Sequence, residues 1–435
     1  MQRTTLMFGF AMAILSTCTL AAAAESPAAG RWDLTVMVGS RKVPSWLEIR
    51  PQDGKFVGTV CSAGGGIQKV GEVKVNGDKV EFKSDLVEKP DKFYFTYTAT
   101  IKNNTINGTR KVAKDLKHPW ENLPPGAEHP FIGLKFIPDV DVSGTWKMDA
   151  GKDDKATLTL SQAASNISGK MTGKQAGEVS KAATQGAALT TTQAAEVTGA
   201  GEVTKAVLHG QILTLAIKEG EKTCKLEANV KGDVMEGTIE HAGGKPENFT
   251  AHRERKWGEP IKLFNGKDLE GFKTIDPPGE KADNNWKVVD GVLTNTKGGK
   301  NIVTERTFKD FKLHVEFRVP THGNSGAYLR GRYEIQVQDD AGNPTGAHNC
   351  GALYSRIAPS VNAAKPAGQW QSFDITLVGQ YLTVVHNGQT VIDNKEIEGI
   401  TGGALDSNEF EGGPIYFQGD HGKIEYRNIT LAPAK

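Results

Sequence analysis

The chain has 435 residues, with 50 glycines, 19 prolines, 7% aromatic residues and a net charge of +1 at pH 7. That length allows two or three domains, each with a core of its own. The balance of charge excludes both the basic footprint of a nucleic-acid binder and a cationic membrane-surface patch, so the expected partners are neutral molecules.

The first residues read as a targeting segment. Arg3 supplies a positive start, Leu6 to Leu15 an apolar stretch, and Ala22-Ala23-Ala24 a cleavage site of small residues. Residues 1–24 are therefore expected to be a signal peptide, with maturation near Glu25 and export to the periplasm or beyond. Thr17 before Cys18 is bulkier than a lipid-modified cysteine usually tolerates, so no anchor is expected. No later run is long and apolar enough to span a bilayer. Cys61, Cys224 and Cys350 then remain, and in an oxidising compartment a bridge between Cys61 and Cys224 would tie two N-terminal units together. None of the three lies in a CxxC or near histidines at zinc spacing, which argues for a structural role and no metal site.

From about residue 30 to 253 one β unit is written twice. Gly30-Arg-Trp32 returns as Gly144-Thr-Trp146, Gly58-Thr-Val60 as Gly169-Lys-Met171, and Gly71-Glu-Val73 as Gly201-Glu-Val203. Thr98–Ile101 with Asn107-Gly-Thr109 returns as Glu227–Val230 with Glu236-Gly-Thr238. The preserved order marks residues 25–140 and 141–253 as tandem repeats. Alternating segments such as 45–50 and 155–160, separated by Asp-Gly, Asn-Gly and Gly-Asp turns, predict antiparallel meanders that form small barrels or sandwiches, calycin-like in outline. The Ala/Thr/Gln-rich tract 175–200 reads as an inserted mobile loop, and 117–130, with His118-Pro-Trp120 and Pro124-Pro-Gly126, as an irregular connection. Trp32 and Trp146 read as core anchors.

Residues 254–260 form a charged linker, after which the composition changes. Runs such as 312–319, 373–377 and 382–386, punctuated by Gly, Asn and Pro, predict two packed antiparallel sheets over 261–435. The richest stretch is Asn324–Asp339. If 327–338 is one strand, Leu329, Gly331, Tyr333, Ile335 and Val337 face the core. Tyr328, Arg330, Arg332, Glu334, Gln336 and Gln338 then face outward, a row suited to lining a sugar cleft or, more plainly, to a solvated sheet with Arg and Glu paired across strands.

Several ordered motifs accompany it: Leu263–Phe272, Trp286–Leu293, Phe311–Phe317, Tyr328-Leu-Arg-Gly331, Tyr333-Glu-Ile-Gln336, Gly351-Ala-Leu-Tyr354, Thr401-Gly-Gly-Ala-Leu405, Gln418-Gly-Asp-His-Gly422 and Tyr426–Leu431. With them, 261–432 resembles the 3-keto-disaccharide hydrolase family, formerly a domain of unknown function. The resemblance implies a concanavalin-like β-jelly roll acting on glycosides oxidised at C3.

A C3 ketone acidifies the C2 proton, so the glycosidic bond can break by loss of that proton and expulsion of the C1 substituent, followed by water. Such a route needs a base, an enolate stabiliser and a proton donor. Glu334 is the candidate base, Arg330 the stabiliser, and His421 the acid or alternative base, oriented by Asp420 between flanking glycines. Asn324, Gln336, Asp339, Tyr354 and Gln418 are candidates for substrate contacts, with Tyr328 as a stacking surface. No cofactor is expected, calcium at Asp339 and Asp340 being the one weak prospect. His314, His322, His348 and His386 read as structural or surface residues. The competing reading is a non-catalytic carbohydrate-binding multidomain protein.

Overall fold

The computed structural model describes residues 26–435 apart from 62–64, 87–88, 113–123, 125, 138–139, 150–154, 164–165, 175–197 and 410. The leader, Cys18, most of the connection expected at 117–130 and most of the tract 175–200 lie outside the described residues. At their described margins, 128–130 and 198–200 are strand rather than irregular chain. No helix occurs among the described residues, and so none is long and apolar enough to cross a membrane.

Each repeat is a closed eight-stranded barrel in which every strand pairs with its sequence neighbour. The first runs from Gly30–Val38 to Glu128–Lys135, which pair with one another to close it. The second runs from Gly144–Asp149 to Glu247–Arg253 and closes in the same way. The repeated motifs carry the close packing. Trp32 and Trp146 are fully buried, and each indole N–H donates to the carbonyl four residues back, Ala28 at 3.1 Å and Val142 at 2.9 Å. They are the core anchors that their matched positions suggested. Gly108 and Gly237 also correspond, because a Cβ at either would run into a carbonyl oxygen of the adjoining strand, Thr98 or Glu227.

The C-terminal domain is a two-sheet β-sandwich. One sheet has eight strands, including Phe311–Arg318, Gln371–Val378, Tyr381–His386 and Ile424–Pro433; the other has five, Phe272–Ile275, Asn301–Thr304, Tyr416–Phe417, Asn324–Leu329 and Tyr333–Gln338. Leu313, Val315, Phe317, Ile375, Leu382 and Leu431 of the first meet Ile302, Ala327, Ile335 and Phe417 of the second. Burying each of the larger apolar side chains among them stabilises the fold by about 1.5–3 kcal/mol.

The first barrel is welded to this core. Trp46 and Cys61 belong to the sandwich's hydrophobic cluster; the Trp46 indole donates to the Ile400 carbonyl at 3.2 Å, and Arg356 donates to Gly65 O at 2.8 Å and to Cys61 Sγ at 3.2 Å. Nearby, Glu409 accepts from Tyr333 Oη at 2.7 Å and stands 3.7 Å from Arg31, while burial and then the Glu409 charge push the Asp33 carboxyl well above its usual range. The expected linker is pinned as well, through Arg255 to Asp233 at 2.8 Å and Asp310 at 3.5 Å.

The bridge that Cys61 and Cys224 could have made does not form: none of Cys61, Cys224 and Cys350 is in a disulfide, and all three are buried. Cys61 faces the sandwich, where Arg356 and the Ile400 carbonyl surround it, and Cys224 points into the second barrel beside His241. Sequence spacing set no histidine near Cys224, but the hairpin brings His241 back to within 3.0 Å of its sulfur.

Candidate active site

The outer face of the five-stranded sheet carries the site. Pairing across its strands lines up Lys273, Val303, Tyr416, Tyr328 and Glu334 in one row. Their neighbours Ile302, Phe417, Ala327 and Ile335 fill the core, as the period of two requires. Tyr328 and Tyr416 stack at 4.2 Å and form with Val303 a small apolar cluster separate from the main core.

The stretch read as one strand is instead a hairpin. Leu329 pairs with Tyr333, and Arg330-Gly331-Arg332 make the turn, with positive φ at Arg330 (52°) and Gly331 (69°). The faces assigned to Leu329, Tyr333, Ile335 and Val337, and to Tyr328, Glu334 and Gln336, hold. Those of the two arginines do not. Arg330 Nε donates to the Lys309 carbonyl at 2.6 Å and Nη2 to Asp310 at 3.0 Å, and Arg332 pairs with Asp406 at 2.6 Å. Arg330 lines a cavity of about 240 Å³ where both barrels meet the sandwich. The structure does not bring it to Glu334, and its place as enolate stabiliser is withdrawn: the turn directs its side chain away from the row.

Glu334 is 4% exposed, and its carboxyl lies against Gly326, where a Cβ would collide with Oε1. Desolvation raises its pKa to about 8; the Tyr328 hydroxyl, which donates to it, and the His421 charge act in the opposite sense, and Asp420 adds to the rise. His421 Nδ1 stands 2.7 Å from Asp420 Oδ1, and that hydrogen bond lifts the imidazole above its usual range. His421 is half exposed. Glu334, Tyr328, His421 and Asp420 are thus brought together from a hairpin and from the loop after Tyr416–Phe417. Tyr354 joins them: its backbone N–H donates to the Glu334 carbonyl at 3.0 Å, and after burial the Glu334 charge raises its phenol.

Of the other candidates, Gln418 sits beside Gly326, to whose carbonyl its N–H donates at 2.9 Å. Gln336 Nε2 donates to Asn324 at 3.3 Å and Gln338 at 3.0 Å, leaving its buried Oε1 without a partner. Asp339 lies at the far end of the hairpin and accepts the His322 N–H at 2.9 Å, while Asp340 accepts from Asn349 and Cys350. His386 is buried against Gln371 and its pKa falls to about 4 by desolvation, a structural role.

Two contributors were not assigned from sequence. Tyr416 was not singled out, although Pro414-Ile-Tyr-Phe417 alternates as a strand does. Thr401 fell within a quoted motif without a role, yet its hydroxyl accepts the Glu334 N–H at 2.9 Å, and Gly403 of the same loop lies on the Tyr328 hydroxyl, leaving no room for a Cβ. Gly326→Ala should therefore displace the Glu334 carboxyl and lower activity at least tenfold, with a melting temperature close to that of the parent. Full activity in that variant would show that the carboxyl position is uncritical.

A buried carboxyl with a shifted pKa, a carboxylate-held imidazole and two buried, stacked tyrosines beside them mark an enzyme-like site on a β-sandwich. Residues 259–432 match the model of the 3-keto-alpha-glucoside-1,2-lyase-like domain, and the chain belongs to that family through this C-terminal part. Among solved structures, a Parabacteroides distasonis protein provisionally described as a glycosyl hydrolase is 32% identical, over 40% of this chain and 83% of that one, with a TM-score of 0.34. A second from that organism, with the same description, is 24% identical over 40% and 98%, with a TM-score of 0.32. A non-specific endo-beta-1,3(4)-glucanase from family GH16 is 12% identical over 42% and 92%, with a TM-score of 0.28. No curated protein matches the chain.

Proposed function

We propose that the protein is an exported enzyme that cleaves glycosides whose C3 hydroxyl has been oxidised to a ketone, with no cofactor of its own. The observation that carries this reading is the buried Glu334 carboxyl, lifted by desolvation to about 8 and within electrostatic reach of His421, which Asp420 holds. Glu334 takes the C2 proton, and the electrons of the C2–H bond become the enolate of the C3 ketone. The enolate then expels the C1 oxygen, and the leaving oxygen takes its proton from His421. Water adds at C1 of the resulting enone, and C2 recovers a proton. With Arg330 committed to Asp310, the cation that bears on Glu334 is His421, which therefore also balances charge as the enolate forms. Tyr328 and Tyr416 are buried and stacked on one another, so Tyr328 walls the Glu334 carboxyl rather than serving as the stacking surface expected for the sugar, while Gln336 Oε1 is left as a hydrogen-bond acceptor for a hydroxyl.

The pH dependence follows from the raised carboxyl. A base works deprotonated, so kcat/KM should rise with pH on a limb centred near 8. The acid role needs His421 protonated, so loss of that proton, from a pKa that its hydrogen bond to Asp420 holds above the usual imidazole range, lowers the rate. Profiles measured with a 3-keto-glucoside check this, and a limb in the ordinary carboxylate range near 4 would remove Glu334 from the role. Tight binding of the unoxidised sugar without turnover of the ketone would favour a binding module instead.

A further inference from the structure

In the second barrel, far from the row just described, three metal-binding side chains converge. Cys224 Sγ is 3.0 Å from His241 Nδ1 and 3.3 Å from Glu219 Oε2, and those two atoms are 4.0 Å apart. Glu219 ends the strand Ile212–Glu219, Cys224 lies just past the tight turn on Lys222–Lys231, and His241 follows Val234–Glu240. The pairing of Lys225 with Glu240 sets Cys224 opposite His241.

The first barrel shows what packing alone needs at this place. The correspondence of Thr98–Ile101 with Glu227–Val230 puts Phe95 where Cys224 stands, and Phe95 pairs with Val112, both buried. At those two positions the first barrel has apolar side chains, with the buried Arg110 guanidinium 4.3 Å above the Phe95 ring and no thiol, imidazole or carboxylate at either position. The second instead gathers a thiol, an imidazole and a carboxylate, an arrangement more polar than a core requires. The backbone N–H of Ala242 is also directed at the Cys224 sulfur, in the sense that favours a thiolate, although burial and then Glu219 push the thiol up to about 12.

We propose that Glu219, Cys224 and His241 form a binding site for a divalent cation of the zinc class. Donors held 2.0–2.3 Å from a tetrahedral centre stand roughly 3.3–3.6 Å apart. The three separations bracket that value, so small side-chain adjustments suffice. A thiolate with an imidazole and a carboxylate suits zinc, whereas calcium and magnesium take oxygen ligands. The cation replaces the thiol proton, which leaves to solvent. Cys224 is buried, while Glu219 and His241 retain solvent contact, so three protein ligands leave the fourth position to water on the open side. Bound there, the ion ties three strands of the barrel together.

The test uses the full chain, stripped with a chelator and titrated with Co²⁺. The expected result is one equivalent bound with a thiolate-to-cobalt charge-transfer band, displaced by Zn²⁺, and a higher melting temperature with Zn²⁺ than without. Cys224→Ser should abolish the band. His241→Gln should weaken cobalt binding by at least about tenfold, since even outer-shell changes cost that much. Absence of the band in the parent protein, or its survival in Cys224→Ser, overturns the proposal. Should Cys224→Ser fail to fold, unchanged cobalt affinity in His241→Gln overturns it equally.

Discussion

Glu334→Gln is expected to lower the cleavage rate of a 3-keto-glucoside by about a hundredfold or more while leaving substrate affinity nearly unchanged. The amide keeps the size of the side chain and can still accept from Tyr328, but it has no basicity. Because the row Tyr416, Tyr328, Glu334 is fixed by strand pairing, the substitution should leave the fold intact. Exchange of the substrate C2 proton with solvent deuterium should fall in parallel, since enolate formation is the step removed. His421→Ala should part the two readouts, keeping exchange and losing cleavage, most of all with poor leaving groups. If Glu334→Gln retained full exchange and His421→Ala abolished it, the two roles would be reversed.

Asp310→Ala should cost about 3 kcal/mol of stability by denaturant titration, the low end for breaking a buried ion pair because Asp310 keeps some solvent contact. Asp310 accepts from Arg330 at 3.0 Å and from the Gly379 N–H at 2.9 Å, and lies 3.5 Å from Arg255. Removing it strands the almost fully buried Arg330 guanidinium with only the Lys309 carbonyl. Arg330→Met placed on top of Asp310→Ala should recover part of the loss, because the uncompensated charge is then gone. A loss below about 1 kcal/mol for Asp310→Ala would mean that the backbone carbonyl alone suffices for Arg330.

The duplicated β unit was legible because its glycines and tryptophans answer to steric demands that recur, as Gly108 and Gly237 show. The two-sheet sandwich was legible because period-two alternation survives in nearly every strand. What alternation conceals is a turn. Arg330-Gly331-Arg332 continues the polar and apolar rhythm of its flanks, and only Gly331, beside a residue able to adopt positive φ, hinted that the chain reverses there. That reversal takes Arg330 off the face that carries Glu334 and sets it at the domain junction, paired with Asp310. Glu334 and His421, distant in sequence, were paired through the family resemblance and chemistry rather than by any local pattern. The clustering of Cys224 with His241 had no such help, because register across a hairpin is a property of the folded sheet.

Gly65 of the first barrel presses on Gly402, with no space for a Cβ between them. The neighbouring Thr401 holds the backbone of Glu334, and Gly403 rests on Tyr328. Any rocking of the barrel is therefore handed directly to the segment above the carboxyl. Turnover should consequently fade on heating as soon as the barrel loosens, before the sandwich melts, so that an appended repeat sets the upper working temperature of a reaction in which it takes no chemical part.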